Sequence, residues 1–279
     1  MRRMVVDGGS TKCHWLAFGD GPDVAFASAG LNPLMLSFNE IVSRFSQAAE
    51  GRDVGHVDEI YYYGAGCIGG EVNSKVAKAI TEVFGCQSVV VYSDILGAAR
   101  ATLGRSSGIA CILGTGCNSC HYDGENIVSN IPPLGYILGD EGSGADIGKR
   151  IVADALKGLF DNDLTSAFWE FAGCGYRDII GHVYSEPHAN AYLARFARFA
   201  IEHIGNASIE AIVRERMTKF LSRNVLLYPE PVRRGGVGFV GGVAANFDGL
   251  LREVCADSGV SVRSIVETPI SGIRLYHES

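Results

Sequence analysis

Met4-Val5-Val6-Asp7-Gly8-Gly9-Ser10-Thr11-Lys12 runs straight into Cys13-His14-Trp15-Leu16-Ala17-Phe18, an apolar stretch, a small-residue turn and a second apolar stretch. About a hundred residues later the plan repeats. Ile109-Ala110-Cys111-Ile112-Leu113-Gly114-Thr115-Gly116-Cys117-Asn118-Ser119 runs into Cys120-His121-Tyr122. Each reads as a buried strand, a turn of glycines and hydroxyl residues, and a returning strand. Glycine lets the backbone come close to an anion, and successive N–H groups in such a turn can point at it. Two such turns facing each other would clamp a polyphosphate, a more specific signal than one Gly-rich loop.

Outward from the first turn, the sequence predicts strands over 3–8, 12–18 and 23–29, a helix over 38–50 and a strand at 59–63 ending in Gly64-Ala65-Gly66. An amphipathic helix over 71–84 places Val72, Val76, Ala79, Ile80 and Val83 on one face. A β-branched strand over 87–92 and a short helix over 95–103 follow. The pattern then restarts with strands over 108–113, 118–123 and 126–131. Helices are expected over 144–160, 164–172, 188–204 and 208–227, then a strand at 238–240, a helix over 244–258 and a last strand over 260–265. A meander followed by alternating helices and strands, used twice, implies two α/β domains of related topology. The expected boundaries are 1–105 and 106–279, with a helical insertion at about 144–230 in the second. Open α/β sheets bind ligands where strands give way to helices.

Composition narrows the function classes. The chain has 279 residues, enough for two domains around a cleft. Its net charge of -7 argues against nucleic acid or an anionic membrane as main partner. No apolar run is long enough to span a bilayer, and Met1-Arg2-Arg3 leads at once to Asp7 and Gly8 rather than to a signal-peptide core. A cytoplasmic location is therefore expected. Of eight cysteines, Cys86, Cys111 and Cys255 fall in apolar strands or helices, where a thiol acts as a small hydrophobe. All are expected to be free. Cys117 and Cys120 have the spacing of half a zinc site, but no second pair lies near and strand alternation turns Cys120 and His121 to opposite faces.

Several positions carry chemistry. Asp7 ends a buried strand beside the Gly turn, where a carboxylate can hold Mg²⁺ directly or through water, or can simply initiate the turn. Lys12 can reach phosphate oxygens or remain a solvated surface lysine. Asp94 follows Val89-Val90-Val91-Tyr92-Ser93 and opens the stretch Ile95-Leu96-Gly97-Ala98-Ala99. There it can take a proton from an attacking hydroxyl or cap the helix. Gly139-Asp140-Glu141-Gly142-Ser143-Gly144 crowds two acids between glycines before a helix. That suits polyol recognition, with helix capping by Asp140 or Ser143 as the alternative. Val240-Gly241-Gly242-Val243 would let a flat ligand such as adenine lie against the backbone, or would allow close helix–strand packing.

These segments, with Gly30-Leu31-Asn32-Pro33 and Tyr63-Gly64-Ala65-Gly66-Cys67, together resemble the actin/hexokinase/heat-shock-protein-70 superfamily. More narrowly, the chain resembles the BadF/BadG/BcrA/BcrD-type ATPases, the family that includes N-acetylglucosamine kinases, over nearly its whole length. The resemblance implies an α/β fold of two actin-like (ribonuclease H-like) domains flanking a cleft. It implies ATP and Mg²⁺ as cofactors, with Asp7 organising the metal. Gly9, Ser10, Thr11 and Lys12 would form the first phosphate turn, and Gly114, Thr115 and Gly116 the second. Gly241 and Gly242 would approach the adenosine, Asp94 would be the catalytic base, and Asn32, Asn118 and Asp140 would hold sugar hydroxyls. The chain departs from the pattern in places. Cys117 stands where amino-sugar kinases usually have serine, and Gly144-Ala145-Asp146-Ile147 replaces an aromatic-containing stretch of the vertebrate kinase. Gly135-Tyr136-Ile137 lacks the Trp-Gly-His found there, and the zinc-cysteine cluster of other bacterial sugar kinases is absent.

The function this implies is an ATP-dependent sugar kinase acting on an amino sugar, N-acetylglucosamine at its 6-hydroxyl foremost. The alternative within the same family is an ATPase that activates a partner redox enzyme of the 2-hydroxyacyl-CoA dehydratase or benzoyl-CoA reductase type. A nucleotide-binding regulator without turnover is the third reading, opposed by the presence of both Asp7 and Asp94. The expected partner is a small-molecule sugar, with no nucleic acid and no membrane. The oligomeric state, a homodimer included, stays open.

Overall fold

The computed structural model describes residues 1–278. The first repeat folds as β1 (Arg2–Gly8), β2 (Lys12–Gly19), β3 (Val24–Ala29), α1 (Phe38–Ala49), β4 (Glu59–Gly64), α2 (Gly70–Phe84), β5 (Ser88–Ser93) and α3 (Asp94–Leu103). The second opens with β6 (Gly108–Leu113), β7 (Cys117–Tyr122) and β8 (Ile127–Ile131). It continues through α4 (Gly135–Leu138), α5 (Gly144–Leu156), α6 (Asn162–Ala172), α7 (Tyr176–Tyr184), α8 (Ala189–Ala194), α9 (Phe196–Glu202), α10 (Ala207–Arg223) and α11 (Glu230–Arg233). Then come β9 (Val237–Val240), α12 (Gly242–Asn246), α13 (Asp248–Asp257), β10 (Val262–Val266) and α14 (Ile270–Glu278).

The two sheets share one plan. The first is ordered β3-β2-β1-β4-β5 and the second β8-β7-β6-β9-β10, five strands each. In both, an antiparallel partner lies on one side of the first strand and parallel strands on the other. This is the α/β architecture that the repeated hairpin implies. Contacts divide the chain into two units. The first holds Met1–Ser106, Gly124–Ile127 and the segment from Thr268 on, and the second holds Ser107–Asp123 and Val128–Glu267. Each unit has its own apolar core. The first centres on Met4, Val6, Trp15, Phe45, Ile60 and Tyr62, and the second on Ile109, Phe168, Phe196, Phe220 and Phe239.

The structure adds to the sequence expectation in its helices and at the end of the chain. Residues 176–184 and 270–278 form helices that no apolar stripe announces, because α7 buries only Ile179 and α14 only Ile273. The helix expected over 188–204 divides at Arg195, and that over 244–258 divides at Phe247. Finally, α14 packs on α3, β1 and β2, so the end of the chain joins the first unit rather than the second.

Candidate active site

In the first unit, the turn between β1 and β2 is fixed from one side. The Gly30 and Leu31 N–H groups donate to the Thr11 and Gly9 carbonyls at 3.0 and 3.2 Å. Ser10, Thr11 and Lys12 are exposed. Beneath the turn, the buried Tyr62 hydroxyl occupies the space that a Cβ on Gly8 would need. That phenol is a reason for glycine at position 8 that the sequence did not disclose.

Asp7 lies opposite His14 across the β1–β2 pair, with Asp7 Oδ2 and His14 Nδ1 3.5 Å apart. Asp94 opens α3 at the end of β5, and its Oδ1 accepts the Ile95 N–H at 2.8 Å. Ser93, not Asp94, occupies the cap position. Protein atoms crowd the Asp94 carboxyl, and this loss of water pushes its pKa up to about 6. The Ile95 N–H works against the shift, and the nearby Asp7 charge adds to it.

The two carboxylates are thus close enough to repel, and neither is paired with a lysine or arginine among the described residues. This donor set fits Mg²⁺. Magnesium takes oxygen ligands, keeps several waters and is bound by one or two carboxylates together with substrate phosphates. No group of three or more His, Cys, Asp or Glu among the described residues is placed to hold a metal by itself. Asn32 belongs to the same unit. Its Oδ1 accepts the Leu34 N–H at 3.1 Å, which leaves the amide N–H₂ as the group free to meet a ligand.

In the second unit, the Gly114–Gly116 turn, the acidic turn and the start of α5 form one assembly. The Gly144 and Ala145 N–H groups donate to the Gly114 and Thr115 carbonyls at 2.8 and 3.1 Å. Asp140 Oδ1 accepts the Cys117 N–H at 3.2 Å, and a Cβ on Gly116 would press on the Asp140 carboxylate at 3.0 Å. Asp140 is buried and has φ 56°, a left-handed conformation that a non-glycine residue holds only when its surroundings impose it. Burial raises its pKa, the Cys117 N–H opposes the rise, and Glu141 and Asp146 add to it. Ser143 caps α5 by accepting the Asp146 N–H at 3.2 Å, so the capping role falls to Ser143 and Asp140 is not needed for it. Asn118 Oδ1 accepts from Ser119 N–H and Asn130 Nδ2, each at 2.9 Å, again leaving the amide donor.

Gly241 and Gly242 differ from each other. Gly241, at φ 124°, packs so closely on the Leu113 carbonyl that a Cβ would overlap it, whereas nothing lies within 4 Å of a Cβ on Gly242. Gly114 is equally open. Gly242 and Gly114 are therefore the positions where glycine leaves room for a ligand, while Gly241 serves packing. Sequence reasoning missed Tyr62, and also missed Asp146 and Arg216, which contact each other behind the acidic turn. Asp146 stands three residues after the Ser143 cap, the one local signal that could have drawn notice to it.

No family model and no curated protein matches the chain. A solved structure from Porphyromonas gingivalis, of a protein to which an N-acetylglucosamine kinase role is ascribed, is 37% identical, covers 98% of each chain and superposes with a TM-score of 0.92. A protein of Chromobacterium violaceum ascribed the same role is 19% identical over 99% of this chain and 98% of its own, with a TM-score of 0.71, a likeness of fold. A ROK family glucokinase of Streptomyces griseus, solved with glucose and AMPPNP, shares the fold at 14% identity and a TM-score of 0.56, with each chain covered completely. With that identity to the P. gingivalis protein over almost the whole of both chains, the chain belongs to its family, the N-acetylglucosamine kinase-like proteins of the actin-like ATPase fold.

Proposed function

We propose that the protein is an ATP-dependent sugar kinase that phosphorylates an amino sugar, N-acetylglucosamine at its 6-hydroxyl foremost. The observation that carries the reading is Asp94: a carboxylate at a strand-to-helix junction, under the influence of the Asp7 charge, with its pKa at about 6. Such a group is ionised at neutral pH yet more basic than a free aspartate, which suits a general base. In the reaction, the sugar oxygen forms a bond to the γ-phosphorus as the bond from that phosphorus to the bridging oxygen of ADP breaks. The hydroxyl proton passes to the Asp94 carboxylate.

Little covalent chemistry is left to the protein, so rate comes from positioning and charge stabilisation. The Gly9–Lys12 and Gly114–Gly116 turns would hold phosphate oxygens, and the open face at Gly242 would receive the adenosine. Asp7 would hold Mg²⁺, which neutralises charge developing on the phosphates. Asp140 would accept hydrogen bonds from sugar hydroxyls, with Asn32 and Asn118 donating from their amide groups. Membership of the P. gingivalis protein's family supports a sugar kinase, and the motifs quoted for the BadF/BadG/BcrA/BcrD-type resemblance support the narrower placement.

A coupled assay of ADP release over a panel of glucose, glucosamine, N-acetylglucosamine and N-acetylmuramic acid tests the reading. Release that depends on an amino sugar and vanishes with its 6-deoxy analogue is expected. Release that is the same without any sugar would remove the kinase reading and favour an energy-transducing ATPase.

A further inference from the structure

The acidic turn is held from behind by groups that the reaction does not use. Asp146, 4% exposed, sits in the first turn of α5. Its Oδ2 accepts the Gly142 N–H at 3.1 Å. Two cations flank its Oδ1, Lys149 at 3.6 Å and Arg216 at 3.8 Å. Arg216 belongs to α10, and two more residues of that helix reach the same turn. Phe220 fills the space over Gly142, where a Cβ would meet its own Cβ at 2.9 Å, and Arg223 pairs with Glu141. The spacing 216, 220, 223 puts the three on one helical face. One face of α10 therefore backs Asp146, Gly142 and Glu141.

What this backing holds in shape is the conformation of Asp140. The Ser143 N–H closes the turn on the Asp140 carbonyl at 3.1 Å, and Gly142 adopts φ 72° within it. Ser143 is tied in turn to Asp146 through the Asp146 N–H. Asp146 thus holds Gly142 through its carboxylate and Ser143 through its backbone N–H, the two residues that close the turn on Asp140. An aspartate at φ 56° needs such support, since the left-handed region is unfavourable for a residue with a Cβ.

We propose that Asp146, held by Arg216 of α10, is a positioning residue for sugar recognition: it locks the 140–143 turn so that the Asp140 carboxylate is presented to the acceptor hydroxyls, without touching the sugar itself. The proposal rests on the kinase reading above for its substrate, and on the geometry alone for the lock. A merely structural role, an acid at a helix N-terminus paired with a cation, would change thermal stability and leave sugar affinity alone.

The test compares Asp146→Ala, Asp146→Asn and Arg216→Met with the full-length wild type. Asp146→Ala is expected to lower kcat/KM for the sugar on the order of 10²-fold, mostly through KM, with the KM for ATP unchanged. Asp146→Asn keeps an oxygen for the Gly142 N–H and should restore most of the sugar KM. Arg216→Met should fall between them. If Asp146→Ala does not fold, the other two variants carry the comparison. Combined with Asp140→Ala, the Asp146→Ala loss should be much less than additive, because the lock has nothing left to present. An unchanged sugar KM in all three variants, or full additivity, overturns the proposal.

A second arm needs no sugar. Amide exchange at Gly142, Ser143 and Ala145 of the unliganded protein should quicken in Asp146→Ala and stay slow in Asp146→Asn. If the wild type turns over no sugar, the kinase reading fails while this arm still decides the lock. Unchanged exchange in Asp146→Ala overturns it, and selective quickening sustains it.

Discussion

Asp94 answers two opposed demands. As a base it benefits from crowding, which lifts its pKa to about 6, but the same crowding penalises the ionised form in the folded protein. The sign follows from linkage. A carboxyl whose folded pKa is raised favours folding most below its unfolded pKa, and that advantage is lost as pH rises through about 6. With a free aspartate carboxyl at 3.8, the difference amounts to about 3 kcal/mol above pH 6 in metal-free protein. Asp94→Asn should therefore cut turnover by a factor on the order of 10² or more while raising the metal-free melting temperature at pH 7. Steady-state kinetics and calorimetry on the same preparation check both halves. A variant that is as active as wild type, or less stable, contradicts the assignment. The sequence made the position of Asp94 legible, because a β-branched strand followed by small helical residues defines a strand-to-helix junction. It could not reveal the shift, which depends on the atoms that close around the carboxyl, nor the Tyr62 phenol under Gly8.

The helix α14 shows how an element escapes sequence reading and still shapes stability. Only Ile273 of its residues is buried, so it has no apolar stripe to read. It is held instead by polar and aromatic contacts. Arg100 donates to the Tyr63 hydroxyl at 2.7 Å, and that hydroxyl shares a hydrogen bond with His277 Nε2 at 2.8 Å. His277 stacks on Tyr61 at 3.7 Å, and its backbone carbonyl accepts from Arg3 at 2.7 Å. Burial, then the Arg100 and Arg3 charges, lower the His277 pKa to about 4. A histidine kept neutral in this way contributes stability at neutral pH that is lost as pH falls from 6.5 toward 4. This loss opposes the gain from Asp94 over nearly the same interval. Wild-type stability from these two groups should change little between pH 7 and 4. Relative to wild type, His277→Gln should grow more stable on acidification and Asp94→Asn should grow less stable. Denaturant midpoints at half-unit pH steps check this, and parallel profiles for all three proteins would refute the opposed pair.

At the level of the whole chain, duplication was legible because the two hairpins repeat a pattern of residue types, and the sheets do share one strand order. Where the chain ends was not, because the return of α14 to the first unit depends on long-range polar contacts. None of the eight cysteines is in a disulfide, and seven are buried, Cys174 being half-buried. Burial pushes the Cys13 thiol up to about 11 and those of Cys67 and Cys255 up to about 12. A thiol reagent should thus titrate one cysteine rapidly and the rest only after denaturation, and anaerobically purified protein should be colourless. Several fast thiols, or stoichiometric iron with a brown colour, would revive the redox-activator alternative.

Phosphorus-31 NMR of the products formed from ATP, Mg²⁺ and N-acetylglucosamine separates the accounts. Phosphoryl transfer to the sugar predicts a sugar-phosphate resonance split by the two protons on carbon 6, growing as ATP is converted to ADP. Inorganic phosphate as the sole product beside ADP, across the whole sugar panel, would contradict it.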